Sequence, residues 1–228
     1  MIWVIIPAFN EAKSISLVLN DLPAIVEEAI VVDNGSTDAT ADEAKAAKAT
    51  VLFEPQKGYG YACLKGLDYL SSKAKADDIV VFLDADYSDY PEELEQLVSP
   101  ILRKEVAFCL GTRVTPELEK GALTPQQRFG NALATSLMRL FFGSRFTDLG
   151  PFRAIRYDTL KGLKMTDKTY GWTVEMQLKV LKNGVAYAEI PVRYRKRIGV
   201  SKVSGTFKGT LLAGYKILLW IFTYSLKK

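Results

Sequence analysis

Val80-Val81-Phe82-Leu83-Asp84-Ala85-Asp86 is the stretch on which the reading of this chain turns. Four apolar residues, two of them β-branched, predict a buried strand. Two carboxylates one residue apart then fall at its C-terminal end, where open α/β sheets hold their ligands. Such a pair can bind a hard divalent cation, which in turn neutralises phosphate oxygens. With 13 Asp in 228 residues, chance alone yields roughly 0.7 Asp-x-Asp triplets, so the triplet matters for where it stands.

Working outward, strand and helix patterns alternate with short connections. Residues 3–6, 29–32, 50–53 and 79–83 read as strands, and residues 15–22, 37–48 and 61–71 as the helices between them. This order predicts an α/β fold with a mostly parallel, doubly wound sheet and helices on both faces. Pro91 opens another helix with Glu92, Glu93 and Glu95 in its first turns, and 106–110 is a fifth strand. Residues 115–124 read as a polar mobile loop. Beyond it, 125–142 and 172–181 are helical, and 152–155 and 185–190 are strands, the last ending at Pro191.

Composition narrows the chemistry. The chain has no His, which removes Ser-His-Asp and Cys-His mechanisms and His-based metal sites together. Any metal is then held by oxygen, which points to Mg²⁺ or Mn²⁺. Cys63 and Cys109 lie far apart in apolar patterns, which favours a reducing, cytoplasmic setting over a disulfide framework. Residues 2–6 lack a basic leader and run into Pro7, so no signal peptide is expected. Residues 190–228 carry nine Lys or Arg and no acid, whereas the remainder carries 21 basic and 26 acidic residues, a net of −5. A basic C-terminal segment on an acidic body suits an anionic partner: phosphate, nucleic acid or a membrane surface. Residues 210–226 are apolar apart from Lys216, and 17 residues are marginal for crossing a bilayer core of ~30 Å. Two readings stay open: an interfacial helix carrying Trp220 and Tyr224 between Lys208 and Lys227-Lys228, or a terminal helix packed on the sheet or a second subunit.

Four segments fall at the ends of the first four strands: Pro7-Ala8-Phe9-Asn10-Glu11, Asp33-Asn34-Gly35-Ser36-Thr37-Asp38, Lys57-Gly58-Tyr59-Gly60 and Asp84-Ala85-Asp86. Singly, each has a plain structural reading as a strand end, helix cap or turn. Together they offer acids for a base and ribose, N–H groups and a Lys for phosphate, and carboxylates for a metal. The set resembles the family 2 glycosyltransferases of the GT-A fold. Gly111-Thr112-Arg113, Arg128-Phe129-Gly130-Asn131, Thr147-Asp148-Leu149-Gly150-Pro151-Phe152-Arg153, Trp172-Thr173-Val174-Glu175 and Arg197-Ile198-Gly199-Val200-Ser201-Lys202 are similar to its dolichyl- and polyprenyl-phosphate sugar synthase branch.

The resemblance, over about residues 2–205, implies a GT-A domain with a nucleotide-sugar half (1–112) and an acceptor half (113–205); the composition beyond it predicts an amphipathic or apolar helix over 206–228. It implies an inverting, metal-dependent transfer of a hexose from a UDP- or GDP-linked donor to a polyprenyl phosphate at the cytoplasmic membrane face. The "DLGPFR" form leans the donor towards UDP. Nucleic acid is not an expected partner, and a homo-oligomer remains open. Pro7, Ala8, Asn10, Glu11, Asp33, Gly35, Lys57, Gly58, Asp84, Ala85 and Asp86 are the implied donor-binding residues, with Asp84 and Asp86 on the metal. Ser88 stands where many mannose synthases carry Gln, which leaves Asp89 as a candidate further ligand.

On the acceptor side a sugar hydroxyl needs a general base, for which Glu175 is the candidate. A lipid phosphate is already anionic and needs cations, which Arg113, Arg128, Arg153, Arg197 and Lys202 supply. Five cations favour the phosphate. The alternatives are a soluble or glycan hydroxyl acceptor, a nucleotidyltransferase on a similar sheet, and a nucleotide-binding, membrane-docking module without turnover.

Overall fold

The computed structural model describes residues 1–116, 118–199 and 207–226, with side chains in the last stretch from 212 onward. One seven-stranded sheet, ordered β3-β2-β1-β4-β6-β5-β7, runs through the chain. Its strands are β1 (Ile2–Ala8), β2 (Glu28–Asp33), β3 (Thr50–Phe53), β4 (Ile79–Phe82), β5 (Phe108–Thr112), β6 (Arg153–Arg156) and β7 (Tyr187–Pro191). β1, β2, β3 and β4 pair in parallel, and so do β5 and β7. β6 lies antiparallel between β4 and β5, so both halves of the chain share one sheet.

Both faces of the sheet are covered, which is why β4 is apolar at every position rather than at alternate ones. Trp3, Ile5, Val80 and Phe82 face one core with α3 (Tyr59–Leu70), α5 (Pro125–Phe142), α6 (Tyr157–Leu163), α7 (Trp172–Lys182) and α8 (Phe207–Leu226). Val4, Ile6, Val81 and Leu83 face the other, with α1 (Ile15–Asn20), α2 (Thr40–Ala46) and α4 (Leu94–Leu102). Sheets of this build put their ligands beyond the C-terminal strand ends.

One segment differs from the sequence expectation, and a second resolves an open alternative. The 115–124 region is tied down: Leu118 bridges Tyr194, and the Lys196 amide donates to Glu119 at 2.9 Å. Thr124 then starts α5 through a capping box with Gln127, whose amide bonds the Thr124 hydroxyl at 3.2 Å. The C-terminal helix lies against α5 and α7, burying Ile221 in the core and setting Phe222 edge-on to Phe141 at 5.7 Å. Leu212, Tyr215, Leu219 and Phe222 stay partly exposed along it. Among the described residues no helix is long and apolar enough to cross a membrane.

Candidate active site

The four strand-end segments converge on a cleft of about 370 Å³, lined by Pro7, Ala8, Glu11, Lys57, Gly58 and the acids of 84–86. Asn34 binds its parts together: its amide nitrogen donates to the Glu54 and Gln56 carbonyls at 3.0 and 2.7 Å, and its oxygen accepts from the Gly58 amide at 2.7 Å. Gly58, at φ +150°, and Gly60 pass so close to the Lys168 and Asp167 carbonyls that a Cβ at either position would overlap them. Asn10, Asp33 and Gly35 shape this end without lining the cleft. The Asn10 side chain accepts from the Thr37 amide at 2.8 Å, and Asp33 accepts from Ser36 at 3.0 Å.

The backbone after β4 turns sharply, with Tyr87 in the left-handed region at φ +63°. For a tyrosine this costs on the order of 1–3 kcal/mol and needs support from its surroundings. The Tyr87 hydroxyl donates to Asp21 at 2.5 Å, while Arg195 lies over its ring and donates to its carbonyl at 2.6 Å. The turn presents Asp86, whose Oδ1 accepts the Ser88 amide at 2.9 Å and hydroxyl at 2.5 Å. Its Oδ2 meets Arg197 at 3.0 Å, and the same guanidinium reaches Glu11 at 2.8 Å. Burial first, and then the Asp86 charge, push the Asp84 carboxyl up to about 7, against Arg197 and Arg113. The Asp89 carboxyl is buried, without a hydrogen-bond partner among the described residues, and burial pushes it well above the usual range. It does not gather with Asp84 and Asp86: no cluster of three His, Cys, Asp or Glu suited to a metal occurs among the described residues.

Two carboxylates without a third are what Mg²⁺ or Mn²⁺ uses when substrate phosphates and water complete its shell. The raised Asp84 carboxyl is consistent with a site that gains stability from a nearby cation. The residues fit the metal, with Ser88 orienting Asp86.

The expected convergence of cations is only partly present. Arg113 and Arg197 line a second, larger cavity, of about 810 Å³, that shares Tyr59, Asp84, Asp86, Thr169, Tyr170 and Arg197 itself with the first. Arg113 is already engaged bidentately by buried Asp148, at 2.8 Å through both Nε and Nη2. Arg153 is fully buried and donates to the carbonyls of Thr173, Leu149 and Gly150, and burial brings its pKa down to about 10. Arg128 is exposed on α5, outside both linings, and Lys202 lies outside the described residues. Glu175 is wholly buried. It accepts from the Thr166 and Asp167 amides at 2.9 and 2.8 Å and pairs with Lys179 at 2.7 Å, so its lone pairs are spent on holding a loop. Sequence reasoning missed Asn34, Tyr59, Thr169 and Tyr170 as site residues. Asn34 and Tyr59 stood inside the quoted segments; Thr169 and Tyr170 come from a loop with no motif.

The remainder of the larger cavity is mostly apolar, formed between α5 and α8 by Phe129, Leu133, Ala134, Leu149, Ile217 and Leu218, with Gln126, Gln127, Asn131 and Thr173 as polar members. The site is thus a pair of acids at a strand end of a mixed sheet, flanked by a cleft roomy enough for a nucleotide and by a larger, mostly apolar one. Comparison with known proteins agrees. The profile of Glycosyl transferase family 2 matches residues 3–164, and the chain belongs to that family. An uncharacterized glycosyltransferase of Mycobacterium tuberculosis is 33% identical over 214 residues, 93% of this chain and 94% of that one. The undecaprenyl-phosphate mannosyltransferase of Micrococcus luteus is 32% identical over 219 residues, 90% and 88% of the two chains. Among solved structures, glucosyl-3-phosphoglycerate synthase from M. tuberculosis, in complex with Mn²⁺, UDP and glucosyl-3-phosphoglycerate, superposes with a TM-score of 0.76 at 21% identity, over 98% of this chain and 79% of that one. That likeness is one of fold.

Proposed function

We propose that this glycosyltransferase moves a hexose from a nucleotide sugar to a polyprenyl phosphate. The observation that carries the reading is the apolar cavity between α5 and α8, which ends at Asp84 and Asp86. A prenyl chain suits such a lining, whereas a sugar acceptor would find few partners there for its hydroxyls. The name of the M. luteus relative supports the same acceptor class.

In this mechanism the smaller cleft holds the nucleoside diphosphate, with Lys57 on its phosphates. Asp84 and Asp86 would hold Mg²⁺ or Mn²⁺, which would supply Lewis-acid neutralisation of the departing diphosphate. Arg197, held beside the site by Asp86 and Glu11, would donate to phosphate oxygens of donor or acceptor. An oxygen of the prenyl phosphate attacks the anomeric carbon, and inversion follows from the family resemblance. No base is required, since that oxygen is already anionic. This accords with a cavity whose only lining acids, among the described residues, are Asp84 and Asp86. Exposed Phe129, Leu140 and Phe141 on α5 and Leu219 and Phe222 on α8 form an apolar face beside the cavity. Neither helix contains an acid. Such a face suits peripheral contact with a bilayer that delivers the acceptor.

Gly214 lines this cavity, and a Cβ there meets nothing within 4 Å. Gly214→Leu should fill the groove and raise the KM for a long-chain prenyl phosphate tenfold or more, leaving metal-dependent donor hydrolysis intact. An unchanged KM would remove the groove from the acceptor's path.

A further inference from the structure

The loop between α6 and α7 connects the two cavities. Thr169 and Tyr170 line both, while neighbouring Asp167 is buried and spends its carboxylate in two directions. Oδ1 accepts from the Thr169 and Gly171 amides of its own loop at 2.7 and 3.0 Å. Oδ2 accepts from Trp220 Nε1 of α8 at 2.7 Å and meets Lys216 of α8 at 3.2 Å. On the opposite side, the Lys168 carbonyl accepts from the Tyr61 amide at 3.1 Å. The Lys168 and Asp167 carbonyls are also those against which Gly58 and Gly60 are pressed. Gly171 completes the fit, since a Cβ there would overlap both Trp220 and Asp167. The loop is therefore clamped between the Gly58-Tyr59-Gly60 turn of the donor cleft and the helix that walls the acceptor cavity.

We propose that Asp167 is a positioning residue that latches α8 to the donor cleft, so that α8 is a working part of the donor site and occupancy of either cavity is felt in the other. The inference rests on the donor and acceptor roles proposed above. The physical basis is contiguity. Lys216 and Trp220 line neither cavity, and the carboxylate they grip holds in register the residues shared by both. Coupling of this kind is reciprocal: what α8 gains from a docked loop, donor affinity gains from a docked α8. It also gives Lys216, the charge interrupting an apolar helix, a specific partner.

The test breaks the α8 half of the latch and leaves Asp167 bonded to its own loop. In the full-length chain, Lys216→Met with Trp220→Phe keeps the packing and the ring on Tyr224 while removing both donors. Calorimetry with UDP and with GDP, each in Mn²⁺, should show the nucleotide that binds the wild type losing at least fivefold in affinity. Donor KM should rise in parallel at a temperature where circular dichroism is unchanged. Tyr215→Ser, an exposed change on the same helix, should leave the affinity as it was. If the double variant does not fold, each single variant must weaken nucleotide binding at least twofold. Wild-type affinity in the folded double variant, or in both singles, overturns the latch. A wild type that binds neither nucleotide would instead overturn the donor-site reading on which the latch depends.

Discussion

Replacing Asp86 by Asn changes one atom and bears on both stability and catalysis. Asp86 is 6% exposed, and its Oδ1 is fixed by two bonds from Ser88, which the amide oxygen of Asn retains. Its Oδ2 faces Arg197 at 3.0 Å, and there an amide NH₂ would oppose a guanidinium. Arg197 is 26% exposed by side chain and keeps Glu11 as a second partner, so the folded state loses a screened ion pair worth about 1 kcal/mol. The catalytic loss is larger. Removing the better-oriented carboxylate from a two-carboxylate cation site takes away stabilisation of charge developing on the departing diphosphate. Losses of this kind run at about 10²–10³ in kcat, or about 2.7–4 kcal/mol. Steady-state transfer with Mn²⁺, beside a thermal melt, separates the two effects. The variant should melt within a few degrees of the wild type and turn over at least 10²-fold more slowly. A folded Asp86→Asn protein with kcat within threefold of the wild type would refute the assignment.

Three further outcomes follow from the same geometry. Asp84 ionises only as pH rises through about 7, so protons and metal compete for it, and nucleotide-free Mn²⁺ affinity should fall about tenfold from pH 8 to pH 6. A pH-independent titration would contradict that role. Glu175→Gln should lower stability by about 3 kcal/mol, as a broken buried pair does, without removing an ionisation from the pH–rate profile; loss of the acidic limb would reinstate Glu175 as a base. Gly60→Ala should cost about 1–3 kcal/mol by forcing the Asp167 carbonyl away, lowering both Tm and nucleotide affinity, whereas an unperturbed Tm would show that the contact yields freely.

Much of this molecule was legible because its information is local. Strand-end residues such as Asp84 and Lys57 follow apolar runs that can only be buried strands, and the alternation of strands with helices dictates parallel pairing of the first four. The course of β6 was not legible. Four residues, Arg153–Arg156, carry no mark of direction, and their insertion between β4 and β5 is decided by pairing with distant strands. The short helix α6 follows β6 without a break and escaped notice for the same reason. Cations were over-read. An Arg in sequence looks alike whether it meets a ligand, as Arg197 is placed to do, or three backbone carbonyls, as Arg153 does. The C-terminal helix was ambiguous because its partner, Asp167, lies 49 residues before Lys216, beyond any periodic signal.

The acceptor is the central claim, and one competition assay addresses it. The full-length protein, Mn²⁺ and a labelled nucleotide sugar are offered a long-chain prenyl phosphate, the matching prenol and 3-phosphoglycerate together, and the labelled products are separated by phase extraction. The account predicts label on the prenyl phosphate alone, in the organic phase. Label on the water-soluble acid or on the uncharged prenol, with none on the prenyl phosphate, would contradict it.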